Sequence, residues 1–182
     1  MNATTSALTL EEFHRIYDGV KPNHEYWFGE VVAKPVPTSL HSAVQLVLIL
    51  LLRRFRWNAL PEVSLKLIHD AAPVPDVIAS QDKIEQPYPT KPVELCVEIR
   101  SPQDSLKRIF KKGEYYLSWG IKNVWIIDPE ARTAWMMTHE HPDGIWIHPD
   151  GFLTADPDTT ISLPELFEEV DNLVKPRSGE SS

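Results

Sequence analysis

Residues 93–128 read VELCVEIRSPQDSLKRIFKKGEYYLSWGIKNVWIID. Val93 to Arg100 is dense in strand formers, and side chains alternate across a strand. Leu95, Val97 and Ile99 therefore share one face, and Glu94, Cys96 and Glu98 the other. From Asp104 to Trp119 the residues Leu106, Ile109, Phe110, Gly113 and Leu117 recur at helical spacing, and Gly120 supplies a stop. Val124 to Ile127 is a continuous apolar run of the kind that fills a buried strand. Strand, helix and strand in succession predict helices packed on a sheet.

The flanking sequence extends this pattern. Thr9-Leu10-Glu11-Glu12 forms a capping box, which predicts a helix to about Tyr17, closed by Gly19 and Pro22. Glu25 to Ala33 reads as a hairpin turning at Gly29. A helix from about Leu40 to Phe55 is apolar nearly all round, which predicts a core helix. Val63 to Ile68 alternates and predicts a strand. Val74 to Ala79 predicts a short strand, placed at an edge or a strand start by Pro73 and Pro75. Downstream, Thr133 to Thr138 returns as a hairpin partner, Ile145 to His148 is a short strand, and Leu163 to Val170 a helix. With no repeat and no internal boundary, the expected fold class is α/β of the α+β kind. It is one domain over residues 1–173, a mixed β-sheet flanked by helices, with a polar tail over 174–182.

Composition narrows the function classes. An apolar share of 42% and a charged share of 24% over 182 residues suit a soluble globular domain. The single cysteine, Cys96, rules out an internal disulfide and a thiolate zinc ribbon, and suits a reducing cytoplasm. Residues 1–7 lack the basic and apolar regions of a signal peptide. The apolar run Ala43 to Leu52 falls short of the roughly 20 residues that span a bilayer, so no membrane partner is expected. A net charge of −8 argues against coating nucleic acid by bulk charge, yet local charge decides local binding. Two basic stretches stand out: Arg100, Lys107, Arg108, Lys111 and Lys112, and Arg53, Arg54 and Arg56.

Two acids are out of place. Glu98 lies late in an apolar strand, and Asp76 lies inside Val74-Pro75-Asp76-Val77-Ile78. A carboxylate in such surroundings is costly unless it is paired, protonated or bound to a cation. A divalent cation between two acids on neighbouring strands removes their repulsion. On the following helix Arg108, Lys112 and Tyr116 form one column, and Lys112 borders the apolar face, within reach of the sheet. Either acid alone is better explained as a strand-end partner of a nearby Arg or Lys. Both together, followed by a lysine-rich helix, point to metal-assisted phosphate chemistry.

The segments Val74-Pro75-Asp76-Val77, Val97-Glu98-Ile99-Arg100-Ser101-Pro102 and Lys112 to Asp128 resemble the Uma-type restriction endonuclease family. That domain family of unassigned role lies in the PD-(D/E)XK nuclease superfamily. Glu25 in Glu-x-x-x-Gly-Glu and His41 opening the long helix also match. The resemblance spans roughly Thr9 to Leu166 and rests on motif order and spacing. It implies a restriction-endonuclease-like fold and metal-dependent cleavage of DNA with Mg2+ or Mn2+. It implies Asp76, Glu98 and Ile99 as metal ligands, and Asp76, Glu98, Lys112 and Glu25 as catalytic residues. Arg100, Arg108 and Lys111 are the expected nucleic-acid contacts, and His41 and Tyr116 line the site. The superfamily pattern would put lysine at position 100. Arg100 stays protonated and cannot act as a base. Either Lys112 takes over that role, or the chain is a catalytically silent nuclease fold that binds nucleic acid or protein.

The remaining histidines show no metal-ligand spacing on an expected helix, and His139-Glu140-His141 is expected to be exposed. Trp135, Met136, Met137 and Trp146 on the late strands are expected to offer a homodimer surface. Cys96 reads as a small buried apolar residue.

Overall fold

A computed structural model describes residues 8–67, 70–156 and 158–174. In order, the elements are α1 (Leu10–Tyr17), β1 (His24–Trp27), β2 (Glu30–Ala33), α2 (Ser39–Arg54), β3 (Asn58–Pro61), β4 (Ala71–Ala72) and β5 (Val77–Ser80). They continue with β6 (Leu95–Ile99), α3 (Leu106–Ser118), β7 (Asn123–Asp128), β8 (Thr133–Thr138), β9 (Ile145–Ile147), β10 (Phe152–Asp156), β11 (Thr159–Ser162) and α4 (Leu163–Leu173). The main sheet has six strands in the order β3-β5-β6-β7-β8-β9. Only β6 and β7 run parallel, joined through α3, so the sheet is mixed as the sequence predicts.

Strand alternation sorts the core into two halves. Leu95, Val97 and Ile99 of β6 and Trp125 and Ile127 of β7 face α2 and α4. Cys96, Val124 and Ile126 face the other way, onto Ile109, Tyr116 and Leu117 of α3. Glu98 falls on this second face, under α3. A smaller sheet, β2-β1-β4, puts Tyr26 against Phe13 of α1. Glu25 and Trp27 flank Tyr26 on β1 and therefore point to the opposite face.

Local chemistry explains the boundaries. Thr9 and Glu12 close the expected capping box on α1. Thr38 caps α2 by accepting from the His41 N–H at 3.2 Å. The β1–β2 turn is Phe28-Gly29, both at positive φ, 50° and 96°. Gly120, at φ 95°, ends the α3 segment.

The structure departs from the sequence pattern in three places. Of the strand expected at Val63 to Ile68, residues 63–67 form none, and Ile68 lies outside the described residues. Leu65 and Leu67 are buried as alternation implies, but the backbone bonds go singly to Pro73 and Pro89 and build no ladder. The strand forms instead at Asn58–Pro61, an edge position that tolerates its proline. The helix α2 is not covered all round: Leu46 and Leu50 are 49% and 54% exposed. The β10–β11 hairpin comes from Phe152 to Ser162, a polar stretch with little apolar periodicity. On the late strands Met137 is fully buried, whereas Trp146 is 54% exposed. Residues 1–7 and 175–182, the latter most of the expected tail, lie outside the described residues.

Candidate active site

Asp76 sits one residue before β5. The β5–β6 register pairs Val77 with Val97, and one further step puts Asp76 opposite Glu98. Both acids line one cavity of about 230 Å³ with Glu25, His41, Lys112 and Arg108. Glu25, Asp76 and Glu98 are 4%, 3% and 6% exposed, so each needs internal partners.

Each carboxylate finds such partners in its neighbours. Glu98 takes the Lys112 ammonium at 2.8 Å on both carboxylate oxygens and the Tyr116 hydroxyl at 2.7 Å. The same ammonium is 3.0 Å from Glu25. Glu25 also accepts from the Val74 N–H at 2.9 Å and the Trp27 indole at 3.2 Å. Asp76 accepts from the Ile99 N–H at 2.7 Å, tying β5 to the end of β6. Its other oxygen takes the Lys34 ammonium at 2.6 Å, with His41 Nε2 at 3.5 Å. Lys34 also donates to the Val74 carbonyl at 2.7 Å, and Gln45 donates to the Asp76 carbonyl at 2.7 Å.

Burial and charge pull the titrations apart. Burial pushes the Glu98 carboxyl up, and repulsion from Asp76 and Glu25 adds to that against the pull of Lys112. For Asp76 burial is outweighed by Lys34 and His41, which hold its carboxyl well below the usual carboxylate range. Burial likewise loses to Lys112 and Lys34 at Glu25, whose carboxyl lies low. Both lysines overcome their own burial and are held protonated, Lys34 chiefly by Asp76 and Lys112 by Glu25 and Glu98. Burial and then the Glu98 charge raise the Tyr116 phenol.

The structure brings together most of the residues singled out in sequence. Glu25, Asp76, Glu98, Ile99, His41, Arg108 and Lys112 line the cavity, and Tyr116 reaches it through Glu98. Ile99 turns its N–H to Asp76. Two residues go elsewhere. Arg100 pairs with Asp128 at the end of β7 and does not line the cavity. Lys111 points away, 2.7 Å from Glu114. Lys34 was not anticipated. Its partners Val74 and Asp76 lie 40 and 42 residues away in sequence, so no local pattern marks it.

Residues 10–173 match the family described as "Uma2: Putative restriction endonuclease". The chain belongs to the Uma2 family. No curated protein matches it. Among solved structures it is similar to "a putative nuclease belonging to DUF820 from Anabaena variabilis ATCC 29413", with a TM-score of 0.74 and 23% identity. The match covers 89% of this chain and 98% of that one, and it establishes a shared α+β fold. For this Uma2 protein, as for the restriction-endonuclease-like group generally, a divalent cation is the cofactor to test. Among the described residues no group of three His, Cys, Asp or Glu is arranged to hold an ion. The chemistry of the donors nevertheless fits one. Three buried carboxylates line the one cavity and offer the oxygen donors that a hard cation takes. Mg2+ needs only one or two carboxylates when water and phosphate fill its other positions.

Proposed function

We propose that this chain is a metal-dependent endonuclease that hydrolyses phosphodiester bonds of DNA. The observation that carries the reading is the meeting of Asp76, Glu98, Glu25 and Lys112 in one cavity, drawn from three separate strand regions and a helix. Asp76 and Glu98 would hold Mg2+ or Mn2+, with Ile99 adjoining and Glu25 beside them. When bound, such a cation orients a phosphate and lowers the pKa of a bound water.

The chain's own residues do the rest. Lys112 stays protonated between Glu25 and Glu98, so it serves as a hydrogen-bond donor and positive charge and not as a base. A protonated amine beside the scissile phosphate stabilises charge that builds up on its oxygens. Tyr116 keeps Glu98 in place through its hydroxyl, and Lys34 with the Ile99 N–H does the same for Asp76. Arg108, exposed at the cavity rim and without an ion pair among the described residues, is suited to a flanking phosphate. Arg100 and Lys111 would contribute only at longer range, because each is already paired.

Single buried Cys96 suits a cytoplasmic setting, and the exposed Trp146 and Ile145 on edge strand β9 suit a homodimer contact. Among the described residues no helix is long and apolar enough to cross a membrane. A second reading, a silent binding module, draws on one observation: the Asp76 and Glu98 oxygens already have protein donors. Incubation of supercoiled plasmid with Mg2+ separates the two. The nuclease reading expects nicking that is lost in Asp76→Asn, Glu98→Gln and Lys112→Ala. Wild-type protein that leaves the plasmid intact, whatever the cation, would overturn it.

A further inference from the structure

Beside the cavity, the β1–β2 turn and α3 enclose an open recess of about 380 Å³ lined by Trp27, Phe28, Tyr115, Arg108, Lys111 and Lys112, with Glu30 on one side. Arg108 and Lys112 line both the recess and the cavity, so the two adjoin. The aromatic wall is prearranged. Trp27 and Trp119 stack at 5.8 Å, Tyr115 and Trp119 at 5.8 Å, and Phe28 meets Tyr115 at 5.0 Å. The Lys111 ammonium lies 5.0 Å from the Tyr115 ring centre.

Phe28 is the informative residue. It occupies the first corner of a two-residue hairpin turn at φ 50°, a conformation that favours Asn, Asp or Gly and disfavours a bulky side chain. The turn itself does not need phenylalanine. Phe28 is 49% exposed and lines the recess, so burial does not account for it either. A strained, exposed aromatic beside Arg108, which has no ion pair among the described residues, combines a stacking face with a phosphate-attracting charge.

We propose that this recess is a stacking subsite for one unpaired nucleobase of a DNA strand whose backbone enters the neighbouring cavity. The proposal rests on the nuclease reading for the choice of DNA. The base lies against Phe28 and Tyr115, and its phosphate faces Arg108, away from Glu30. Every base has a π-face, so the subsite is indifferent to sequence. It selects strand state, because a paired base must leave its stack before it can enter. The consequence is a preference for single-stranded or frayed DNA over intact duplex.

The test uses the full chain and a 12-nucleotide DNA carrying 2-aminopurine, single-stranded or as a blunt duplex, without divalent cation so that nothing is cleaved. The single strand should bind more tightly than the duplex, with 2-aminopurine fluorescence quenched on binding. Phe28→Ala and Tyr115→Ala should each weaken single-strand binding roughly 5- to 150-fold and abolish the quench, while duplex binding is unchanged. Phe28→Trp, which keeps a ring at the exposed turn, should retain both. Equal binding of single strand and duplex would overturn the proposal, and so would wild-type affinity in Phe28→Ala. Phe28-dependent stacking by a protein that never nicks DNA would leave the subsite standing and remove the nuclease reading alone.

Discussion

Replacing Lys112 by methionine tests the electrostatic core of the site. Methionine keeps most of the side-chain volume and removes the charge. The Lys112 side chain is 12% exposed and serves two carboxylates, Glu25 at 3.0 Å and Glu98 at 2.8 Å. Removing one partner of a buried ion pair costs about 3–5 kcal/mol, because the other charge is left uncompensated. With a urea slope of about 2 kcal/mol/M, the unfolding midpoint should fall by about 1.5–2.5 M. The loss should depend on pH in a defined sense. The Glu98 carboxyl already lies above its ordinary 4.5 through burial, against the pull of Lys112. Without Lys112 it rises further, and the Glu25 carboxyl rises with it. A carboxyl raised in the folded state binds a proton that the unfolded chain lacks. Its stabilising effect is complete below the unfolded pKa and is lost as pH rises through the folded one. The deficit of Lys112→Met should therefore be greatest at pH 7–8 and shrink toward pH 5. Urea titrations at pH 5, 6, 7 and 8 measure it. An unchanged midpoint at pH 7, or a deficit constant across this range, would refute the reasoning.

Three further outcomes follow from the same geometry. Asp76 is held low by Lys34 and His41 against burial, so its stabilising effect is present above about pH 3.8 and lost as pH falls further. Asp76→Asn should be less stable than wild type by about 3–5 kcal/mol at pH 7 in urea titrations, and the gap should narrow between pH 3.8 and 2. Lys34→Met removes the ammonium that occupies Asp76 at 2.6 Å, so Mn2+ should raise its Tm more than that of wild type; an equal or smaller rise counts against this. Thr9→Ala breaks the capping box of α1 and should cost about 0.5–2 kcal/mol, read as faster amide exchange in that helix.

How far the sequence carried this account depends on the range of the interactions. The faces of β6 followed from alternation, so Glu98 was assigned correctly to the side away from Leu95 and Val97. The column Arg108, Lys112 and Tyr116 followed from helical spacing, and its two inner members meet Glu98. Motif order indicated Glu25, which lines the same cavity. Lys34 and Gln45 escaped because they reach Asp76 across 42 and 31 residues of sequence, and no local pattern encodes that contact. Arg100 was placed by motif position alone, and the neighbouring β7 supplied Asp128 to claim it. The segment around Leu65 shows the converse: alternation reported burial correctly, but a strand also needs a partner, and Asn58–Pro61 takes the edge of β5 instead.

The central claim is that Asp76 and Glu98 jointly hold a divalent cation. The most direct measurement is a calorimetric titration of Mn2+ into wild-type protein, Asp76→Asn and Glu98→Gln. The account predicts saturable binding by wild type that is lost in both variants while each remains folded by circular dichroism. No binding to wild type, or equal binding by all three proteins, would contradict it.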